Sequence, residues 1–246
     1  PSPLLDIQRE VVFSAMLSSS SSIGLTGGTM DLTGPLDVEK LLTVLNRHVF
    51  AADAFNLAFR LEKGLLTQAP VGQSATSLAR YVDLSSLSAP RDAADRMLRG
   101  ELLSGLDAFG DVPPIRQFLF RLASEKHLYG MIVHHGLIDG WGFSVWVETM
   151  ASGYKGNEVT YPSYLDLVRK RLRQSQGGPS QRSIEYWLER FPKAPQKTFQ
   201  QKGSGIGVIH HQYSIDVGRR ARWKALADQN NLSMAPLATA SLLLSV

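Results

Sequence analysis

Residues 130–142 read Gly130-Met131-Ile132-Val133-His134-His135-Gly136-Leu137-Ile138-Asp139-Gly140-Trp141-Gly142. An apolar run ends in two histidines, a short loop follows, and Asp139-Gly140 opens a helical pattern. The segment therefore reads as strand, loop and helix start. Neighbouring side chains of a strand point to opposite faces, so His134 and His135 cannot do the same job. One is expected to point into the protein and the other toward whatever cavity the strand end borders. Asp139, four residues on, can fold back toward the strand end and hold the loop. Gly140 tolerates backbone angles that a side chain would forbid, and its N–H is expected free at the helix start. Histidine can act as a base near neutral pH without large tuning. On the residues alone two readings stand: buried histidines ahead of an N-cap aspartate, or a catalytic histidine on a prepared loop.

The pattern extends outward on both sides. Residues 116–122 and 128–135 read as two strands, and the short polar stretch 123–127 between them predicts a hairpin. Residues from 141 to about 151 read as a helix, with further helices over 165–174 and 183–190. Toward the N-terminus, five serines at 18–22 read as a surface loop, and 23–32 as a strand that Gly34-Pro35 ends. Val38, Leu41, Leu42, Leu45 and Val49 fall on one apolar stripe, with Asp37 as N-cap. Phe55, Leu57, Phe59 and Leu61 alternate as in a half-buried strand. After 65–69, a strand-like piece at 78–84 precedes a helix over about 91–103. Gln176-Gly177-Gly178-Pro179 separates two helices, and 192–207 reads as a linker. A strand over 208–215 and helices over 218–230 and from 233 onward follow.

Composition limits the function classes. The chain has 246 residues, 43% hydrophobic and 20% charged, so the bulk is expected to fold. With Cys 0, disulfide frameworks, cysteine nucleophiles and zinc fingers are excluded, and a reducing, cytoplasmic setting is expected. No apolar run reaches the ~18 residues of a membrane span, and the opening residues carry no basic region followed by an apolar stretch. A net charge of +4 is too weak an excess to predict a nucleic-acid surface. The chain begins with Pro1 and closes on an apolar helix without a capping signal, which predicts a piece of a longer polypeptide.

The segment 134–140 resembles the HHxxxDG motif of the condensation-domain superfamily of nonribosomal peptide synthetases, related in fold to chloramphenicol acetyltransferase. The likeness runs along nearly the whole chain. Gly34-Pro35-Leu36-Asp37 is similar to the family's second segment, and Ala52-Asp53-Ala54-Phe55-Asn56-Leu57-Ala58-Phe59 to its helix-to-strand stretch. Tyr81-Val82-Asp83-Leu84-Ser85 resembles its "vDLS". Residues Pro114 to Leu122 resemble the strand before its active site, and Ser183-Ile184-Glu185-Tyr186-Trp187-Leu188 its "YW" helix. The family's usual arginine falls on Asn56. That arginine normally pairs with the motif aspartate; Asn56 is left able to hydrogen-bond Asp139 but not to form a bidentate ion pair.

The resemblance implies an α/β fold: a chloramphenicol acetyltransferase-like two-layer sandwich, a mixed sheet with flanking helices and an incomplete second lobe. Residues 1–191 would be the N-terminal lobe, 192–207 the linker and 208–246 the start of the C-terminal lobe. The implied activity is amide-bond condensation of two acyl groups held as thioesters on carrier-protein phosphopantetheine arms. His135 would be the catalytic histidine and the Gly140 N–H an oxyanion donor. His134, Asp139 and Asn56 would be structural. No metal and no directly bound cofactor are implied; the partners would be donor and acceptor carrier proteins and adjacent synthetase domains, with no nucleic acid and no membrane. Two other readings remain: a stand-alone acyltransferase with a small or lipid acceptor, and a non-catalytic carrier-docking or recruitment domain. An epimerisation domain fits less well, since Trp141-Gly142 follows the motif. A heterocyclisation domain replaces both histidines with aspartates. His210-His211 has no aspartate at the motif spacing and reads as structural or surface. The basic runs at 169–173 and 219–222 read as solvated helix faces, with carrier docking as the alternative.

Overall fold

The computed structural model describes residues 1–17, 22–72, 79–175, 180–193 and 215–243. They divide into two compact units, Pro1–Lys197 and Thr198–Val246. In the first unit, strand β1 (Ser2–Pro3) leads into helix α1 (Asp6–Leu17), strand β2 (Leu25–Thr33) and helix α2 (Val38–Ala51). A 3-10 turn, Asp53–Asn56, opens strand β3 (Leu57–Glu62), which is followed by β4 (Leu65–Pro70), β5 (Ala79–Asp83) and helix α3 (Pro90–Ser104). Strands β6 (Ile115–Ala123) and β7 (Lys126–His134) then precede helices α4 (Gly140–Tyr154), α5 (Tyr164–Ser175) and α6 (Gln181–Arg190).

The expected hairpin forms between β6 and β7. It is tighter than the polar stretch suggested: Ala123 pairs with Lys126, and the register shifts between Arg121 and Ala123. His127 belongs to the strand and is buried despite its polarity. Among the described residues, the sheet order is β2-β7-β6-β5. β5 runs parallel to β6 and the other neighbours are antiparallel, which makes the sheet mixed. β7 is central and buried from His127 to His134, so it reads as a continuous apolar run rather than an alternation. A second, antiparallel sheet has the order β1-β4-β3.

Helices cover both faces of the mixed sheet. Ala93 and Ala94 of α3 pack on Phe118, Phe120, Leu128 and Ile132. On the opposite face, Leu41, Leu45 and Val49 of α2 and Trp146 and Met150 of α4 pack on Leu119, Tyr129, Met131 and Val133. Alternate residues of β6 and β7 thus feed two cores. Asp37 caps α2, accepting from the Lys40 N–H at 3.0 Å. A buried polar chain ties α4 to the sheet. Trp146 Nε1 donates to the Tyr129 hydroxyl at 3.1 Å, and that hydroxyl donates to Gln117 Oε1 at 2.8 Å. Tyr129→Phe strands the Trp146 N–H in the core and should cost about 1–3 kcal/mol, read as a lowered urea midpoint with unchanged m-value.

Two elements had no counterpart in the sequence reading, β1 and α1. Strand β3 starts at Leu57 rather than Phe55, because the chain is still in the 3-10 turn. The second unit contains α7 (Val217–Gln229), capped by Asp216 on the Arg219 N–H at 2.8 Å, and α8 (Met234–Leu243). Residues 18–21 of the serine loop, residue 78, the separator 176–179, linker residues 194–207, strand residues 208–214 with His210-His211, and 244–246 lie outside the described residues.

Candidate active site

β7 runs out at His134, and the two histidines part there. His134 is 2% exposed, whereas His135 lies at the surface. The strand-end geometry continues through the backbone: the His134 N–H donates to Pro114 O and the His135 N–H to Gly24 O, at 3.0 and 2.7 Å. The His134 ring packs edge-on to Phe59, with centroids 5.0 Å apart. Its Nδ1 accepts from the Gly136 N–H at 3.1 Å. Burial pushes its pKa down to about 4, and the neighbouring His135 charge adds to the shift. His134 is therefore a neutral, enclosed acceptor that ties the first residue of the loop.

His135 is held differently. Its Nδ1 lies 2.7 Å from the Ile138 carbonyl oxygen. A carbonyl can only accept, so Nδ1 carries the proton in the neutral ring and Nε2 keeps its lone pair. The turn behind it is closed by the Leu137 N–H donating to His134 O at 2.9 Å. The sequence thus places one locked, exposed imidazole with its basic nitrogen unengaged by that contact.

Asp139 is the N-cap of α4. Its backbone is extended, and Oδ1 accepts from the Gly142 N–H at 2.7 Å. It holds the junction of loop and helix rather than reaching to the strand. Gly140 differs from expectation. It is absent from the glycines with positive φ and opens α4 as a helical residue, and an added Cβ would meet nothing within 4 Å. Neither backbone angle nor crowding within the described residues requires glycine there. The first turn of α4 nonetheless offers N–H groups without intrahelical acceptors and the positive end of the helix dipole. Trp141, beside Gly140, is 79% exposed.

Asn56 is not brought to Asp139. Its Nδ2 donates to Val49 O, Phe50 O and Ala52 O at 2.9, 3.2 and 3.1 Å, so it satisfies carbonyls at the C-terminal end of α2. The short side chain reaches its own preceding turn more readily than another element. The neighbouring Asp53 was not singled out by sequence. It accepts from the Ser163 hydroxyl and the Tyr164 N–H, both at 2.9 Å, and so caps α5 from across the fold.

Gly24 and Gln8 were also missed. Gly24 sits at φ +87, and a Cβ would lie 2.7 Å from Ala15 Cβ and 3.2 Å from His134 Nε2. Gly24→Ala combines backbone strain with that clash. It should cost about 1–3 kcal/mol, measured as a drop in unfolding midpoint. Gln8 Nε2 donates to the Gly136 carbonyl at 2.8 Å. The signal for it was present: Leu4, Gln8 and Val12 recur at helical spacing and all three are buried.

Among the described residues no group of three His, Asp or Glu side chains could hold a metal ion, and no helix is long and apolar enough to cross a membrane. The basic runs of α5 and α7 are largely exposed. Arg169 pairs with Asp166 within α5 at 2.8 Å and Arg219 with Asp216, the N-cap of α7, at 3.7 Å, as solvated faces do.

A family model described as a condensation domain matches residues 2–230. The chain is 27% identical over 159 residues to surfactin synthase subunit 2 of Bacillus subtilis (strain 168), covering 64% of this chain and 4% of that protein. It is 28% identical over 203 residues to isonitrile lipopeptide synthase of Streptomyces coeruleorubidus, covering 78% of this chain and 14% of that protein. Among solved structures, the first condensation domain of the calcium-dependent antibiotic synthetase, in complex with a substrate analogue, superposes with a TM-score of 0.79 at 21% identity. It covers 98% of this chain and 59% of that one. The starter condensation domain of rhizomide synthetase gives 0.65 at 20% identity, covering 77% and 47%. At these identities the solved structures bear on the fold. The chain spans a small part of the curated relatives and about half of the solved domains.

Proposed function

The chain belongs to the condensation-domain family, and from that premise we propose that it supplies the histidine-bearing part of a domain that joins two carrier-bound acyl groups through an amide bond. In this reading residues 1–191 are the N-terminal lobe, 192–207 a linker and 208–246 the start of a second lobe. The observation that carries it is the His135–Ile138 contact, which leaves Nε2 as the basic nitrogen of an exposed ring.

The chemistry follows from that nitrogen. The amine of the acceptor attacks the donor thioester carbonyl, forming a C–N bond, and His135 Nε2 takes a proton from the amine as charge develops on it. The carbonyl oxygen becomes an oxyanion, to which the Gly140 N–H in the first turn of α4 would donate. Collapse breaks the C–S bond, and the departing sulfur recovers the proton from His135. The attacking amine has a pKa near ~8, so the demand on the base is modest and positioning supplies much of the barrier reduction. His134, Asp139 and Asn56 act structurally, at the loop, the helix cap and the end of α2.

The substrates would arrive on phosphopantetheine arms of donor and acceptor carrier proteins, beside adjacent synthetase domains, in the cytoplasm. The chain itself would hold no cofactor. Relatives named for surfactin and an isonitrile lipopeptide support a nonribosomal peptide product. Positioning two tethered arms and shielding a thioester from water both require an enclosed site. The 246-residue chain alone is therefore expected to give no condensation product with loaded carriers, whereas a complete domain containing it does. Product from the chain alone, abolished by His135→Ala, would overturn the need for a second lobe. Lack of product from the complete domain, with both carriers loaded, would overturn the function.

A further inference from the structure

We propose that Gln8 is a positioning residue for His135, acting from α1 through the peptide of Gly136; the catalytic meaning of this rests on the reading of His135 above. Gly136 follows His135 directly, and three groups fix it. Its N–H donates to His134 Nδ1 at 3.1 Å, and its carbonyl accepts from Gln8 Nε2 at 2.8 Å. An added Cβ would come within 2.8 Å of Phe59 Cζ. The peptide can neither turn over nor move toward β3.

The amide of Gln8 is itself locked. It is 4% exposed, and its partner Gln68 on β4 is fully buried. Gln8 Oε1 accepts from the Leu5 N–H at 3.0 Å and from Gln68 Nε2 at 3.3 Å. Gln8 Nε2 donates to Gly136 O and, at 3.2 Å, to Gln68 Oε1. Gln68 Nε2 also donates to Pro3 O at 3.0 Å. Both lone-pair sites and both N–H groups of Gln8 are used, and only one orientation satisfies an N–H on one side and a carbonyl on the other. The result is a rigid strut from α1 and β4 to the loop.

That strut matters because of what the loop carries. The Ile138 carbonyl that fixes the His135 tautomer lies two residues beyond Gly136. Releasing the Gly136 carbonyl leaves the 136–137 peptide held on one side only, by the Leu137 N–H on His134 O, and the added play shifts the Ile138 oxygen off Nδ1 for part of the time. The proton on the ring then distributes between both nitrogens, and the side chain leaves its single orientation. A buried amide that only stabilised the fold would lower stability without touching the ring.

The test compares Gln8→Met with Gln68→Met. Both remove buried amide bonds, but only the first frees Gly136. In the 246-residue chain, ring 15N resonances of His135 should report Nδ1–H as the dominant neutral tautomer in the wild type and in Gln68→Met. They should report a mixture in Gln8→Met. In the complete domain, Gln8→Met should lower kcat about tenfold with KM nearly unchanged, as expected for lost orientation, while Gln68→Met lowers the unfolding midpoint and keeps kcat. An unchanged His135 ring signal in folded Gln8→Met would overturn the proposal. The unmodified chain supplies a second readout that needs no variant to fold: slow exchange of the Gln8 side-chain amide protons, which the bond to the Gly136 carbonyl and burial protect. Exchange as fast as in free glutamine would also overturn it. The ring signal is independent of activity, so a failure of His135 as the base would appear in His135→Ala kinetics and leave the answer on Gln8 intact.

Discussion

In the complete domain, His135→Ala is expected to slow acyl transfer by about 10²–10⁴-fold, the range for a lost acid–base group. Folding should be nearly unchanged. The expectation is specific to this histidine. His135 is exposed, and the hydrogen bond its ring makes among the described residues is to the Ile138 carbonyl. Removing it opens no cavity in the core and leaves no buried group without a partner. The His135 backbone N–H keeps its bond to Gly24 O whatever the side chain. Single-turnover rates with both carriers loaded, alongside the unfolding midpoint, separate the two effects. Full turnover in the variant, with carrier binding retained, would remove His135 from the chemistry.

The second large effect concerns stability and pH. His134 has its pKa pushed down to about 4 by burial in the folded protein, against ~6.5 unfolded. As pH falls below ~6.5 the unfolded chain takes up the proton first, so it binds more protons than the folded state and stability declines. The loss is complete when pH has fallen through the folded value. A shift of this size corresponds to about 3 kcal/mol between neutral pH and pH ~4. His48 and His127 are lowered too, each by burial first and then by a nearby arginine, Arg47 and Arg121 respectively. They add to the same slope. His134→Asn keeps an acceptor for the Gly136 N–H but cannot titrate. Urea unfolding across this range should give a visibly shallower pH dependence for the variant. The same slope in both proteins would contradict the assignment.

That the two histidines part was expected from strand alternation, but β7 is buried on both faces up to His134, and it is the end of the strand that leaves His135 exposed. The hairpin, the α2 stripe and the Asp139 cap were equally accessible, since each is written in a local period or a capping residue. What escaped is long-range. Exposed Ile7, Phe13, Met16 and Leu17 blur the apolar stripe of α1, and the residue it buries at Gln8 is polar. Asp53 caps a helix more than a hundred residues away, and no local pattern announces that. Gly24 serves both a left-handed turn and the close approach of His134. Asn56 was left able to bond Asp139 by the sequence, yet its amide donates to the carbonyls of the preceding turn instead.

Gly140 shows the opposite lesson. The sequence reading noted that glycine tolerates backbone angles a side chain would forbid, and the helical geometry with open space at its Cβ makes no use of that freedom. A Gly140→Ala variant should accordingly fold as stably as the parent, within about 0.5 kcal/mol. Any loss of transfer rate in it then reflects crowding in front of the first turn of α4.

The most direct measurement is intact-protein mass spectrometry of the acceptor carrier after mixing a complete domain containing this segment with donor-loaded and acceptor-loaded carriers. A parallel sample carries an acceptor whose amine has been acetylated. The account predicts that the donor acyl group moves onto the free-amine acceptor, that none moves onto the acetylated one, and that His135→Ala abolishes the gain over the measured time. Release of the donor as free acid, or transfer that persists without the amine or without His135, would contradict it.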